Sequence, residues 1–293
     1  MDQRLGALVR QLDLEQLEVN LFRGQSRDVG SPRVYGGQVI GQALVAAERT
    51  VDARAPHSLH AYFLLPGDAS APIVYQVDRL RDGRSFSARR VHAIQHGRPI
   101  LSMIASFQAP EPGLEHASPM PEVPPPEALA SFPELVERWL AEAGPVEPRI
   151  AESMRAPGAV EFRPIDPQNP LLRIPGEPRQ AAWFRAVDRL PDDPALHRCI
   201  LAYASDSMLI GTPLRAHGRS WWQPSMIVAS IDHALWFHRP ARVDEWLLYA
   251  MDSPSAQSAR GLARGLVFDR SGRLIASVAQ EGLMRDVAAA EST

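Results

Sequence analysis

Three polar side chains stand where the hydrophobic pattern calls for apolar ones. Asp206 falls on the stripe Leu196, Cys199, Ile200, Tyr203, Ser207 and Ile210, three residues after Tyr203 and four before Ile210. A carboxylate on such a face costs several kcal/mol unless hydrogen-bonded or paired; a slight rotation of the helix would instead carry it to solvent. Gln280 breaks the alternating row Leu274, Ala276, Val278, Gly282 and Met284, either as a functional amide or as a structural one tying down a strand end. Ser230 belongs to residues 229–240, which gather a hydroxyl, the Asp232 carboxylate and the imidazoles of His233 and His238 in one strand. Alternation puts Ser230 and Asp232 on one face and His233 on the other. Both histidines read as structural or surface residues. No His-x-His or His-Glu-x-x-His spacing marks a metal site, and no Gly-x-Ser-x-Gly elbow marks a serine nucleophile. All 31 basic residues are arginine, which excludes a lysine base or a Schiff base.

The elements that must position these residues come in two similar sets. Residues 3–20 carry leucines at near-helical spacing and read as a short amphipathic helix, and 20–24 form a short strand. Residues 36–49 make a helix whose Gly37, Gly41, Ala43 and Ala47 would let a sheet approach its backbone. Strands are expected at 58–64, 72–80, 85–95 and 99–108, the last two joined at His96-Gly97. Seven prolines between Ala109 and Pro126 make a linker, followed by a short helix at 131–143 and a loop-like stretch to about 178. The pattern then resumes with a strand at 180–187, a helix at 194–210 and strands at 226–238, 244–252, 256–268 and 273–284.

An internal echo ties the sets together. Sliding the chain by 174 residues lays Ser58 on Asp232, Phe63 on Phe237 and Pro66 on Pro240. Gly97-Arg98-Pro99-Ile100-Leu101-Ser102 likewise matches Gly272-Arg273-Leu274-Ile275-Ala276-Ser277. Ala105 then takes the place of Gln280, so the first copy does without an amide there. Each set is a strand, a helix and a run of antiparallel strands, which gives a sheet wrapped around a helix. The expected organisation is 1–110 and 179–293 as the two units, with 111–178 between them.

Composition bounds the rest. The chain has 293 residues, 45% hydrophobic, and a net charge of −3, which describes an ordinary globular protein and offers no basic footprint for nucleic acid. No apolar run reaches membrane-spanning length, and the start lacks a signal peptide's apolar core. The lone Cys199 excludes an internal disulfide and reads as a small buried apolar residue. The cytoplasm is the expected compartment.

Several blocks in one order resemble the acyl-CoA thioesterase II family. They include Leu21-Phe22-Arg23-Gly24-Gln25-Ser26, Gly36-Gly37-Gln38-Val39-Ile40-Gly41-Gln42-Ala43 and Phe63-Leu64-Leu65-Pro66-Gly67-Asp68. Ser85-Phe86-Ser87-Ala88-Arg89-Arg90 and Ala105-Ser106-Phe107-Gln108 continue the series, as do Tyr203-Ala204-Ser205-Asp206, residues 231–240 and Gln280-Glu281-Gly282-Leu283-Met284-Arg285. The resemblance implies an α+β double hotdog, two units with antiparallel sheets fused into one. It implies hydrolysis of medium- and long-chain fatty acyl-CoA without metal or cofactor, and a homo-oligomer is expected.

By the same resemblance, the family's catalytic aspartate falls on Asp206 and its glutamine on Gln280. Its threonine falls on Ser230, which keeps the hydroxyl and drops the methyl. Such a set can hold a water, take its proton and aim it at a thioester carbonyl. Arg89 and Arg90 are candidates for the CoA phosphates. Glu291-Ser292-Thr293 does not match the Ser-Lys-Leu-type peroxisomal address of some family members. Two other readings stand beside this one: a hotdog hydratase, which wants an aspartate–histidine pair, and an acyl-CoA-binding or sensing protein without turnover.

Overall fold

The computed structural model describes residues 1–26 and 33–287. Glu291-Ser292-Thr293 lies outside the described residues. The first unit runs α1 (Gln3–Leu12), β1 (Glu15–Glu18), β2 (Leu21–Gly24), α2 (Gly36–Glu48), β3 (Ala55–Phe63), β4 (Ile73–Asp82), β5 (Phe86–Gln95) and β6 (Arg98–Gln108). The connecting stretch holds α3 (Phe132–Ala143), α4 (Pro148–Arg155) and β7 (Val160–Pro164). The second unit runs β8 (Arg179–Ala186), α5 (Pro194–Ser205), α6 (Gly211–Arg215), β9 (Met226–Ser230), β10 (Asp232–Phe237), β11 (Leu247–Gln257), β12 (Arg260–Asp269) and β13 (Leu274–Asp286).

All strand pairs among the described residues are antiparallel, in the order β1-β2-β4-β5-β6-β3-β10-β13-β12-β11-β8-β7, with β9 also on β13. The halves fuse where β3 meets β10, with Tyr62 opposite Asp232 and Ser58 opposite Trp236. One hydrophobic core spans both, taking in Ala43 and Leu44 of α2, Cys199 and Ile200 of α5, and Met103, Leu235 and Tyr249 of the strands. The echo in the sequence is therefore an architectural repeat, and the expected continuous sheet is present.

Five local expectations are corrected. The first helix ends at Leu12, and Glu15–Glu18 pairs with β2 instead; Asn20 at φ 61° makes the hairpin turn that ends helical periodicity. The glycines of α2 make room for α5 rather than for a sheet. A Cβ on Gly37 would collide with the Tyr203 carbonyl oxygen, and one on Gly41 would sit 3.2 Å from that of Cys199. The loop-like stretch before 178 contains α4 and β7. Tertiary pairing of β7 with β8, and Phe162 stacked on Phe184 at 5.8 Å, supply an order that local sequence does not announce. Finally, α5 stops at Ser205, and the strand expected at 226–238 is interrupted at Ile231.

Candidate active site

The last two corrections build the site. Because α5 ends at Ser205, Asp206 caps it and turns inward, only 8% exposed. A carboxylate at its own helix's C-terminus meets the negative end of that dipole. Here the N-terminus of α2 lies opposite, and the Gly37 N–H donates to Asp206 Oδ2 at 2.9 Å. Gly36 must lack a side chain, since its Cβ would stand 2.7 Å from the same oxygen. The other carboxylate oxygen accepts from Gln280 Nε2 at 3.0 Å and from Ser230 Oγ at 3.3 Å. Gln280 Nε2 also donates to Ser230 Oγ. The three residues singled out from separate segments thus form one hydrogen-bonded cluster, and every donor to the carboxylate is neutral.

The strand interruption decides who joins them. Ile231 donates its N–H to Glu281 and accepts from the Phe63 N–H, so one residue is spent between β9 and β10. Alternation restarts after it. Asp232, expected beside Ser230, instead accepts from the Glu281 N–H at 2.7 Å. His233, expected on the opposite face, is fully buried, with Nδ1 3.0 Å from Gln280 Oε1 and Nε2 2.9 Å from Ser205 Oγ. Burial depresses its pKa, against the pull of the nearby Asp206 charge, and the ring is neutral at pH 7. The repeat carried the missing signal: 174 residues upstream, the matching position is Leu59.

Asp206 and Ser230 open into a cavity of about 870 Å³ with walls from Val39, Phe63, Ile210 and Val228. The connecting stretch closes it with Phe132 and Trp139, the latter in a small core with Leu135, Val136 and Met154. Tyr35 stands at the mouth of α2, its hydroxyl 3.0 Å from the Tyr203 carbonyl and 2.8 Å from Ser207 Oγ; burial and then the Asp206 charge hold its pKa well up, so it stays protonated. A water-sized nucleophile bound between Asp206 and Ser230 would face an apolar chamber of ligand size.

The arginines expected at the phosphates do not share this site. Arg89 is 1% exposed and bound to Thr50, Asp82 and the carbonyls of Arg81 and Ala88, which closes it to any ligand. It alternates inward with Ser87 and Val91, a placement that strand parity demands. Arg90 points outward and pairs with Asp78 at 2.7 Å. Among the described residues, the arginines that line the cavity are Arg33 and Arg215, the latter paired with Asp166 at 3.2 Å.

Comparison with known proteins gives the architecture its relatives. Residues 160–283 match the acyl-CoA thioesterase family model, and residues 24–108 match the acyl-CoA thioesterase N-terminal domain. Acyl-CoA thioesterase 2 of Haemophilus influenzae is 43% identical over 97% of this chain and 99% of its own. The chain belongs to the acyl-CoA thioesterase II family. Human acyl-coenzyme A thioesterase 8 is 40% identical over 94% of this chain and 87% of its own. Among solved structures, an acyl-CoA thioesterase II from Mycobacterium marinum is 44% identical, with a TM-score of 0.77 over 95% of this chain and 98% of that one. A hot dog protein from Alicyclobacillus acidocaldarius, 20% identical over 95% of this chain and 98% of its own with a TM-score of 0.74, carries the fold alone. The thioesterase II fold is a double hotdog, and the β3–β10 seam is where its units join.

Proposed function

We propose that this chain hydrolyses medium- and long-chain acyl-CoA to free acid and CoA with a water held by Asp206, Ser230 and Gln280. The observation that carries the reading is a buried carboxylate with only neutral donors at the wall of an apolar cavity. Asp206 takes the water's proton as the oxygen attacks the thioester carbonyl, and the tetrahedral adduct then collapses with C–S cleavage, the proton passing from Asp206 to the departing CoA sulfur. Ser230 and Gln280 fix where that water sits, so that the attack begins from an oriented encounter. No covalent acyl-enzyme is needed. The apolar walls favour a flexible hydrocarbon tail.

The hydratase reading has less support. Its chemistry wants a histidine beside the aspartate, and His233 reaches Asp206 only through Gln280. Thiol release from acyl-CoAs of two to eighteen carbons (on the order of the chain lengths an 870 Å³ chamber can accept), read with a thiol dye, tests the proposal. Turnover that rises into the medium and long chains is expected. Turnover of short polar acyl groups only, hydration of an enoyl-CoA, or tight binding without release would overturn it.

A further inference from the structure

The sequence repeat isolates one further pair. β3 and β6 place Leu59 opposite Ala105, both fully buried. The matching positions in the second unit are His233 and Gln280, in β10 and β13, whose register (Ala234 opposite Ala279) continues to them. An apolar cross-strand pair has become an imidazole hydrogen-bonded to an amide, at 3.0 Å and beside Asp206. The fold does not ask for this, because the first unit builds the same strand pair from leucine and alanine.

An amide side chain can face either way, and only one orientation serves the site. With Nε2 toward Asp206 and Ser230, both of its hydrogens are used and Oε1 is left needing a donor. The reversed amide would put Oε1 3.0 Å from a carboxylate oxygen. That repulsion disappears at the moment Asp206 takes a proton from water, since a carboxylic acid can donate to a carbonyl. A second anchor is then needed to stop the amide turning over. The imidazole supplies it. A neutral ring has one N–H, and Oε1, which carries no hydrogen, claims it on Nδ1. Nε2 is then the lone-pair nitrogen, 2.9 Å from the Ser205 hydroxyl, whose single hydrogen it shares with the Ala202 carbonyl, also 2.9 Å away; that serine lies one residue before Asp206 at the end of α5.

We infer that His233 is a positioning residue of the hydrolysis, its Nδ1–H holding the Gln280 amide in the orientation that binds Asp206, Ser230 and the water through the whole reaction. The inference rests on the water reading proposed above. It deepens that reading by naming what keeps the amide from reversing when the base is protonated.

Steady-state kinetics of the full-length chain on dodecanoyl-CoA test it. His233→Leu restores the first unit's residue and should lower kcat by about tenfold to a hundredfold, the worth of one buried hydrogen bond to this amide, with KM little changed. His233→Asn keeps an N–H near Nδ1 and should recover most of that loss. His233→Gln places its N–H near Nε2 and should not. The double variant His233→Leu/Gln280→Ala should be no slower than Gln280→Ala alone, because a positioning residue has nothing left to position. Full kcat in His233→Leu overturns the inference, as does multiplicative loss in the double variant. If His233→Leu does not fold, the Asn and Gln variants decide, and equal impairment of the two overturns it. Asp206→Asn and Gln280→Ala run alongside: if both keep full kcat, the water reading itself has failed, a result separate from any behaviour of His233.

Discussion

Helices α2 and α5 run against each other in opposite directions, and each ends in a carboxylate facing the other helix, Asp206 buried and Glu48 11% exposed at its side chain. At the end of α5, Asp206 is held by the Gly37 N–H, the Gln280 amide and the Ser230 hydroxyl, and opens on the cavity. At the end of α2, Glu48 is met by Arg198 at 2.9 Å and by the Cys199 thiol. Burial pushes the Glu48 carboxyl up and Arg198 pulls it back. Both helices thus carry a carboxylate at their C-terminal ends, in different company. A guanidinium holds a carboxylate's charge in a strong bond that a water must outbid. Neutral donors orient the charge without cancelling it, which is what a base needs. The strands repeat the lesson, with His233 and Gln280 at one end and Leu59 and Ala105 at the other.

The comparison is broken most severely by making the same chemical change at both carboxylates. Asp206→Asn should cost roughly 10²–10⁴-fold in kcat, the usual worth of general-base catalysis, with acyl-CoA binding retained. Equilibrium binding and steady-state turnover on one preparation check both halves of that statement. A variant that loses binding in proportion to rate would make Asp206 part of the substrate pocket rather than the base.

Ser230→Ala comes next. One of the groups around the water is lost, and about a tenfold fall in kcat is expected from one charge-assisted hydrogen bond. A nucleophilic serine predicts abolished turnover instead, and a burst of CoA in the wild type. Mass spectrometry of the protein quenched during turnover separates the two. An acyl group on Ser230 would remove the positioned water from the mechanism.

What the sequence made legible follows from which physical rule was local. Two antiparallel units, their helices and their seam could be read because periodicity of two and near four survives in almost every element. Gln280 was legible for a different reason: its repeat partner Ala105 showed that the fold tolerates an apolar residue there. Leu59 said the same of His233, yet strict alternation through 226–238 assigned the imidazole to the wrong face. A single residue at Ile231, spent on bonds to Glu281 and Phe63, shifts the parity. The Phe63 bond crosses between units and the Glu281 bond crosses to another strand, so neither can be seen in the strand's own sequence. Arg89 fails in the opposite sense. Its neighbours Ser87 and Val91 already place it inward, but only the structure shows that Thr50 and Asp82 saturate it.

The matching change at the other end, Glu48→Gln, should leave kcat unaltered and act on stability alone. The Glu48 carboxyl is raised in the folded chain, with burial outweighing Arg198. Between the ordinary glutamate range and that raised value the folded state binds more protons than the unfolded one. Its contribution is therefore fully present at low pH and is lost as pH rises. A neutral amide removes this dependence. At neutral pH the change also leaves the Arg198 guanidinium without its carboxylate, and losing one partner of a shielded pair should cost about 1–3 kcal/mol of stability. Thermal unfolding from acid to neutral pH checks it. Unchanged or raised stability at pH 7 would show that Arg198 is solvated once Glu48 is neutral, and the contrast between the two ends would then lie in chemistry only.

The smallest effect sharpens the comparison inside the site. Ser230→Thr keeps the hydroxyl that lies 3.3 Å from Asp206 Oδ1 and adds a β-branch. Branching leaves χ1 fewer choices, so less rotamer freedom is lost when the hydroxyl settles against Asp206 and Gln280. A saving of about 0.5 kcal/mol is roughly a twofold gain in kcat. Ser230 is half-buried at the edge of the cavity, so the added methyl has an apolar space to enter. Kinetics on one long-chain acyl-CoA, compared at saturation, resolve a change of that size. A twofold rise with constant KM fits a hydroxyl that orients water. A fall of tenfold or more would mean that the methyl occupies the water's place, and would move the water to the far side of Asp206, against the N-terminus of α2.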